Sequence, residues 1–113
     1  MKIELRFRGL EASDSLREHT VRRIHLHLSR FGQDVSAVAV RIGDVNGPRG
    51  GLDKRCRITV RGPRLRLSTL EELSADAYAA VDSAVARVAR AVGRDLERAR
   101  DAKGDGQSVR KAS

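Results

Sequence analysis

The stretch Arg55-Cys56-Arg57-Ile58-Thr59-Val60-Arg61-Gly62-Pro63-Arg64-Leu65-Arg66-Leu67 decides the fold. Cys56, Ile58 and Val60 alternate with Arg55, Arg57, Thr59 and Arg61, the period of two that marks a strand with one buried face. Gly62-Pro63 is a tight-turn signal. Beyond it Leu65 and Leu67 alternate with Arg64 and Arg66, so the stretch predicts a hairpin of two strands. Working towards the N-terminus, Gly43 to Gly51 reads as a long flexible connection. Before it Val38, Val40 and Ile42 alternate with Ala37, Ala39 and Arg41, a further strand. Residues 2 to 8 alternate as well, with Ile3, Leu5 and Phe7 on one side and Lys2, Glu4, Arg6 and Arg8 on the other.

Two stretches carry the helical period. After Gly9, Ser15 with Glu18 can form a capping box, or Ser13 can start the helix half a turn earlier. Leu16, Thr20, Ile24, Leu28 and Phe31 then fall in one arc, and Gly32 is placed to stop the helix. On the C-terminal side Ser74 can cap a longer helix whose buried stripe is Ala77, Val81, Ala84, Val85, Val88, Val92 and Leu96. The predicted order is β-α-β-β-β-α, an α+β domain over residues 1–101. Lys, Gly, Asp, Gln and Ser then dominate, and 102–113 is expected to be a disordered basic tail.

At 113 residues the chain is long enough for one core. That core must be aliphatic, since there is no Trp, one Tyr and two Phe. The formal charge is +8 and the pI about 10.9. A charge of this size suggests a polyanionic partner, and the dominance of arginine favours planar, bidentate phosphate contacts. No run approaches the roughly 18 apolar residues of a spanning helix, and no signal-peptide core is present, so no membrane role is expected. A single cysteine, Cys56, excludes an intrachain disulfide and fits a reducing, cytoplasmic compartment.

The arginines are not scattered. Strand alternation puts Lys2, Arg6, Arg8, Arg41, Arg55, Arg57, Arg61, Arg64 and Arg66 on the sheet face away from the apolar set, with only Glu4 to relieve them. Like charges across neighbouring strands destabilise a sheet, so an electrostatic binding surface is favoured over a merely solvated face. On the second helix Arg87, Arg90, Arg94 and Arg98 recur at spacings of three and four and share one side. Favourable interaction with the helix dipole accounts for Arg94 and Arg98 but not for Arg87 and Arg90. On the first helix Arg23 and Arg30 share a side with His19.

Catalytic patterns are missing from the sequence. Gly43 to Gly51 lacks the Gly-Lys-Ser/Thr ending of a phosphate-binding loop. His25 and His27, two apart on a helix, point nearly opposite ways, so no metal site is expected. Cys56 has the inward parity of a small core thiol. Asp82 and Asp95 are too far apart along the helix to act as a pair. Tyr78 is expected at the core edge, with base stacking as a lesser alternative. Neither a cofactor nor a small-molecule substrate is implied, and the chain is expected to be monomeric when free.

Several local sequences resemble a family. Ser13-Asp14-Ser15-Leu16-Arg17-Glu18-His19 is similar to the Thr/Ser-x-Ala-Leu/Ile-Arg helix opening of the bacterial ribosome hibernation-promoting factor and ribosome-associated inhibitor A family, the sigma-54 modulation proteins. Asp76-Ala77-Tyr78-Ala79-Ala80-Val81-Asp82 resembles that family's Asp-Met-Tyr-x-Ala-Ile-Asp/Asn segment, and Arg87, Arg90 and Arg94 occupy the basic positions that follow it. The likeness spans roughly residues 1 to 100. It implies a fold like double-stranded-RNA-binding domains, with both helices on one sheet face. It also implies binding to the small ribosomal subunit over the transfer RNA and messenger RNA sites, with Arg23, Arg30, Arg87, Arg90 and Arg94 on rRNA phosphates. The stretch Leu70 to Ala75 departs from the family pattern. The chain is also too short for the C-terminal dimerisation domain of long members, so the resemblance is to the short type. A general RNA- or DNA-binding module, or an interaction domain for an acidic protein, are the alternative functions.

Overall fold

The computed structural model describes residues 1–45, 52–66 and 69–112, with side chains described as far as residue 101. Strand β1 (Lys2–Arg8) leads into helix α1 (Asp14–Leu28) and a 3-10 segment (Ser29–Asp34). Strands β2 (Ala37–Asp44), β3 (Lys54–Arg61) and β4 (Thr69–Ser74) follow, and α2 (Ala77–Ala112) completes the chain. The sheet order is β1-β2-β3-β4, with β1 parallel to β2 and the other pairs antiparallel. This is the expected α+β order.

The alternating residues do what the period of two requires. Val38, Val40 and Ile42 of β2 and Cys56, Ile58 and Val60 of β3 are buried, in one cluster with Leu16, Ile24 and Leu28 of α1 and Val81, Val85, Val88 and Val92 of α2. Both helices therefore cover the same sheet face. Each such side chain contributes about 1.5–3 kcal/mol on burial, which is how an almost wholly aliphatic core suffices. Ile3, Leu5 and Phe7 of the edge strand β1 pack against the cluster but stay half-buried. The Cys56 thiol is pushed up to about 12 by burial and, secondarily, by the charge of Glu72, so it is un-ionised and packs as a small apolar group.

Ser13 rather than Ser15 caps α1, its Oγ accepting from the Leu16 amide at 3.1 Å. The buried Thr20 hydroxyl donates to the Leu16 carbonyl at 2.7 Å, which satisfies a polar group inside the apolar arc. The α-helix ends at Leu28, and Gly32, at φ +57°, turns the chain within the 3-10 segment that follows.

Two expectations change around β4. β3 and β4 do pair antiparallel, but the pairing runs from Thr59↔Thr69 to Lys54↔Ser74, so β4 is Thr-Leu-Glu-Glu-Leu-Ser and not the Arg64–Leu67 alternation. Arg64 and Arg66 lie before the strand. The Leu65 amide donates to the Gly62 carbonyl, Leu65 packs on the core, and the Arg66 amide donates to the Asp95 carboxylate of α2 at 2.9 Å. A backbone donor engaged by a helix side chain is lost to a strand ladder, so this segment leaves the sheet. Leu67 lies outside the described residues, as does 46–51 of the expected flexible connection; Gly43 itself is part of β2.

Ser74 ends β4 instead of capping α2. Asp76 takes that role, its carboxylate accepting from the Ala79 amide at 3.2 Å and its carbonyl from the Ala80 amide at 3.0 Å. The Ser74 hydroxyl accepts in turn from the Asp76 amide. The α2 backbone is described as helical through 102–112, the stretch expected to be a disordered tail; the side chains there lie outside the described residues.

Candidate nucleic-acid interface

The sheet leaves one face open, and the register shows what stands on it. Arg6, Arg41 and Arg57 are aligned partners across β1, β2 and β3, and Glu71 closes that row on β4. In the next row Arg8 and Arg55 flank Gly43. Arg61 stands further along β3, opposite Ala37. Six of the eight arginines expected here are thus in place, while Arg64 and Arg66 are not. Arg64 pairs instead with Asp34, at the end of the 3-10 segment, at 2.9 Å.

Glu4 is not the only acid on the face, because the true β4 brings Glu71. Its carboxylate accepts from Arg57 Nε at 2.9 Å and lies 3.8 Å from Arg55. Glu4 is a loose 3.8 Å from Arg6, both exposed. Arg8, Arg41 and Arg61 make no ion pair with any described residue. The sequence concealed Glu71 because Leu70-Glu71-Glu72-Leu73 has no clean alternation, and only pairing with β3 fixes which glutamate points outward.

The helix layer carries a second cationic surface. Arg87, Arg90, Arg94 and Arg98 of α2 are all exposed. Arg87 reaches Glu72 of β4 at 3.1 Å, which fixes this stripe on the β4 flank of the helix. The same pair explains how Glu72 is tolerated on the inward side of an edge strand. Arg98 is 3.4 Å from Asp95, a buried carboxylate already engaged by the Arg66 amide. Arg90 and Arg94 have no carboxylate partner among the described residues.

Arg23 belongs to a different cluster, on the α1 flank of α2. Its Nε lies 3.1 Å from Asp82 Oδ1, which also meets His19 Nε2 at 2.7 Å. The Arg23 contact is an ion pair without hydrogen-bond geometry, since Nε has no hydrogen-bond partner. Tyr78 packs edge-on to His19, with ring centroids 5.0 Å apart. The helix thus separates Arg23 from the Arg87 stripe. Arg30, at the start of the 3-10 segment, lies 4.7 Å over the Phe31 ring, which sits beside Gly93 of α2. The role of Asp82 as an interhelix clamp was not legible, because nothing local to α2 indicates what α1 presents there.

No group of three or more His, Cys, Asp or Glu among the described residues could hold a metal ion. No helix, among the described residues, is long and apolar enough to cross a membrane.

The family model described as sigma 54 modulation protein / S30EA ribosomal protein matches residues 3–100. The chain belongs to this family. The match runs from the second residue of β1 past the arginine stripe of α2. The N-terminal domain of Protein Y from Thermus thermophilus has a similar structure, with a TM-score of 0.68 and 32% identity over 83% of this chain and 98% of that one. A ribosomal subunit interface protein from Coxiella burnetii shares the fold at a TM-score of 0.64, with 23% identity, covering 83% of this chain and 96% of that one. A comparison with curated protein sequences finds no match. Within the family segment Asp76 to Asp82, Asp76 caps α2, Tyr78 stacks on α1, Val81 fills the core and Asp82 clamps His19 and Arg23. Within this segment Tyr78 and Asp82 hold the two helices together.

Proposed function

We propose that this chain is a ribosome-binding inhibitor of translation, which occupies the small subunit over the transfer RNA and messenger RNA sites and excludes their ligands without chemistry. The observation that carries the reading is that Arg90 and Arg94, at the family's basic positions, stand exposed with no carboxylate among the described residues to neutralise them. Arginine fits phosphate through paired N–H donors, and in water such contacts draw their strength from release of counterions. Arg23, Arg30, Arg87 and Arg98 extend the contact surface. Arg87 and Arg98 exchange their intramolecular carboxylates for phosphates, while Arg23 is positioned by Asp82. The family's description as a ribosomal protein supports the ribosome as target.

The sheet-face arginines Arg6, Arg8, Arg41, Arg55, Arg57 and Arg61 give a second cationic side. A folded rRNA cleft can meet both layers, which a flat duplex groove cannot. The working unit is residues 1–101, monomeric when free and acting in the cytoplasm. Arg64, paired with Asp34, and Arg66, whose amide is held by Asp95, are carried off the sheet face.

Co-sedimentation of the full chain with separated ribosomal subunits at moderate salt tests the reading. Saturable migration with the small subunit alone, prevented by prior loading of transfer RNA, is the expected result. Equal binding to both subunits and to unrelated RNA would reduce the protein to a general nucleic-acid binder. If about six phosphates are contacted, affinity should fall by about a thousandfold between 50 and 200 mM salt. A flat salt response would instead indicate a mainly apolar protein partner.

A further inference from the structure

The open sheet face is not uniformly cationic. Its charge converges on one point, Gly43. This residue sits between Arg8 and Arg55 in one row, and the adjacent row is Arg6, Arg41 and Arg57. Lacking a side chain, Gly43 leaves a hole in the face. The result is a cavity of about 260 Å³ whose floor is Gly43 and whose rim is these five arginines. A side chain at position 43 would be crowded against β1, since a Cβ there would lie 3.2 Å from the Arg8 carbonyl oxygen.

We propose that this cavity is a binding site for a polyphosphate group, the pyrophosphate or triphosphate moiety of a nucleotide or of an RNA 5′ end. Three observations carry it. First, five guanidiniums surround the cavity while only Glu71 is bonded firmly to one of them, and Arg8 and Arg41 make no ion pair with a described residue. Three arginines abreast on adjacent strands repel one another, a cost that a bound polyanion relieves. Second, the donors ring a hollow instead of lying along a line. A nucleic-acid backbone brings one charge per phosphate, spread along its length, whereas a polyphosphate places several charges within one small volume. Third, no aromatic side chain stands on this face to stack a base: Phe7 is directed inward, and Arg17 of α1 covers its ring. Recognition therefore rests on the phosphates, through bidentate arginine contacts, with little selection among bases.

The site is on the opposite side of the sheet from the α2 stripe and does not depend on ribosome binding. Its test uses the full chain without ribosomes, with inorganic pyrophosphate as the first probe. Calorimetry should show saturable binding to one site, and amide signals of Arg41, Gly43 and Arg55 should shift together. Arg41→Gln and Arg8→Gln, both at exposed positions, should each weaken binding by about tenfold, the usual worth of a charged hydrogen bond. Arg90→Gln should leave it unchanged. Absence of saturation, or equal loss in Arg90→Gln, would overturn the site in favour of diffuse attraction.

Two further arms identify the source. Displacement of pyrophosphate by adenosine diphosphate at lower concentration than by a 5′-triphosphorylated oligoribonucleotide assigns a free nucleotide; the reverse order assigns an RNA end. An oligoribonucleotide with a 5′ hydroxyl that competes as well as its triphosphorylated form would show backbone binding and refute the polyphosphate reading. Loss of ribosome co-sedimentation with pyrophosphate binding intact would count against the ribosome proposal alone.

Discussion

The two cationic faces of this domain hold their arginines in different ways. On the helix layer, carboxylates reach across from other elements: Asp82 of α2 to Arg23 of α1, and Glu72 of β4 to Arg87 of α2. These pairs fix how the helices sit on each other and on the sheet edge, and Arg90 and Arg94 are left exposed along the Arg87 stripe. On the open sheet face, by contrast, the backbone ladder itself holds the arginines in rows, and among the described residues Glu71 is the acid that hydrogen-bonds one of them, Arg57. One face is organised by ion pairs, the other by hydrogen-bonded strands in spite of repulsion. The helix face should therefore be sensitive to loss of single carboxylates. The fold of the sheet face should tolerate side-chain changes, and only its ligand binding should respond to them.

The most damaging change should be at the turn that decides which arginines belong to which face. A Cβ at Gly62 would collide with the backbone carbonyl oxygen of Asp34, which cannot easily give way, with Leu65 also in the way. Gly62→Ala is expected to cost about 3 kcal/mol, read as a lower urea midpoint with an unchanged slope. Retained stability would mean that the connection from β3 towards α2 is looser than described. Next in size is Arg90→Glu with Arg94→Glu. Stability should barely change, because neither residue has a carboxylate partner among those described. Affinity for the small subunit should fall about a hundredfold, and the salt slope by about two. The same double reversal should not affect pyrophosphate binding to the sheet face. An unchanged salt slope would remove the stripe from the interface.

Legibility followed the same division. β1, β2 and β3 could be read because each buries one face and alternates cleanly, from Ile3 to Phe7, Val38 to Ile42 and Cys56 to Val60. The sheet-face arginines on those strands came with them. β4 could not be read: Arg64-Leu65-Arg66-Leu67 alternates better than Thr69-Leu70-Glu71-Glu72-Leu73-Ser74. The contact that removes the first segment from the sheet is a carboxylate, Asp95, that lies 29 residues away from Arg66 in sequence. Periodicity reports burial of a segment on its own, and it misses a long-range hydrogen bond that captures the backbone. The caps show the same effect on a smaller scale. Ser13 was one of two candidates, and Asp76 displaced Ser74 because β4 extends further than the sequence pattern implied. Of the helix-face site, the exposed stripe was legible from spacing alone, whereas the capture of Arg23 by Asp82 needed the packing of α1 on α2.

Asp82→Asn isolates that capture. The substitution keeps size and one hydrogen-bond acceptor but removes the charge that holds Arg23 and meets His19. Both partners are partly exposed, so solvent screens the loss, and stability should fall by no more than about 1 kcal/mol. Arg23 would then be free to swing, and small-subunit affinity should drop if its placement matters. A drop in stability with no change in affinity would confine Arg23 to a structural role.

The smallest effect should be a gain. Gly93 lies in mid-helix, where glycine costs roughly 0.5–1 kcal/mol relative to alanine because its backbone loses more freedom on folding. A methyl group there has room, since the nearest atom it would meet is Phe31 Cζ at 3.9 Å, an ordinary contact distance. Gly93→Ala should therefore raise stability by about 0.5 kcal/mol, or about 2–4 °C in Tm for a domain of this size. The added methyl would also support the ring under Arg30, a residue on the α1 side of the helix face. If the variant is instead less stable, the Phe31 ring lies closer to α2 than described, and the glycine is there to admit it. In that case the helix face, like the sheet face around Gly43, would depend on a missing side chain to set the position of its arginines.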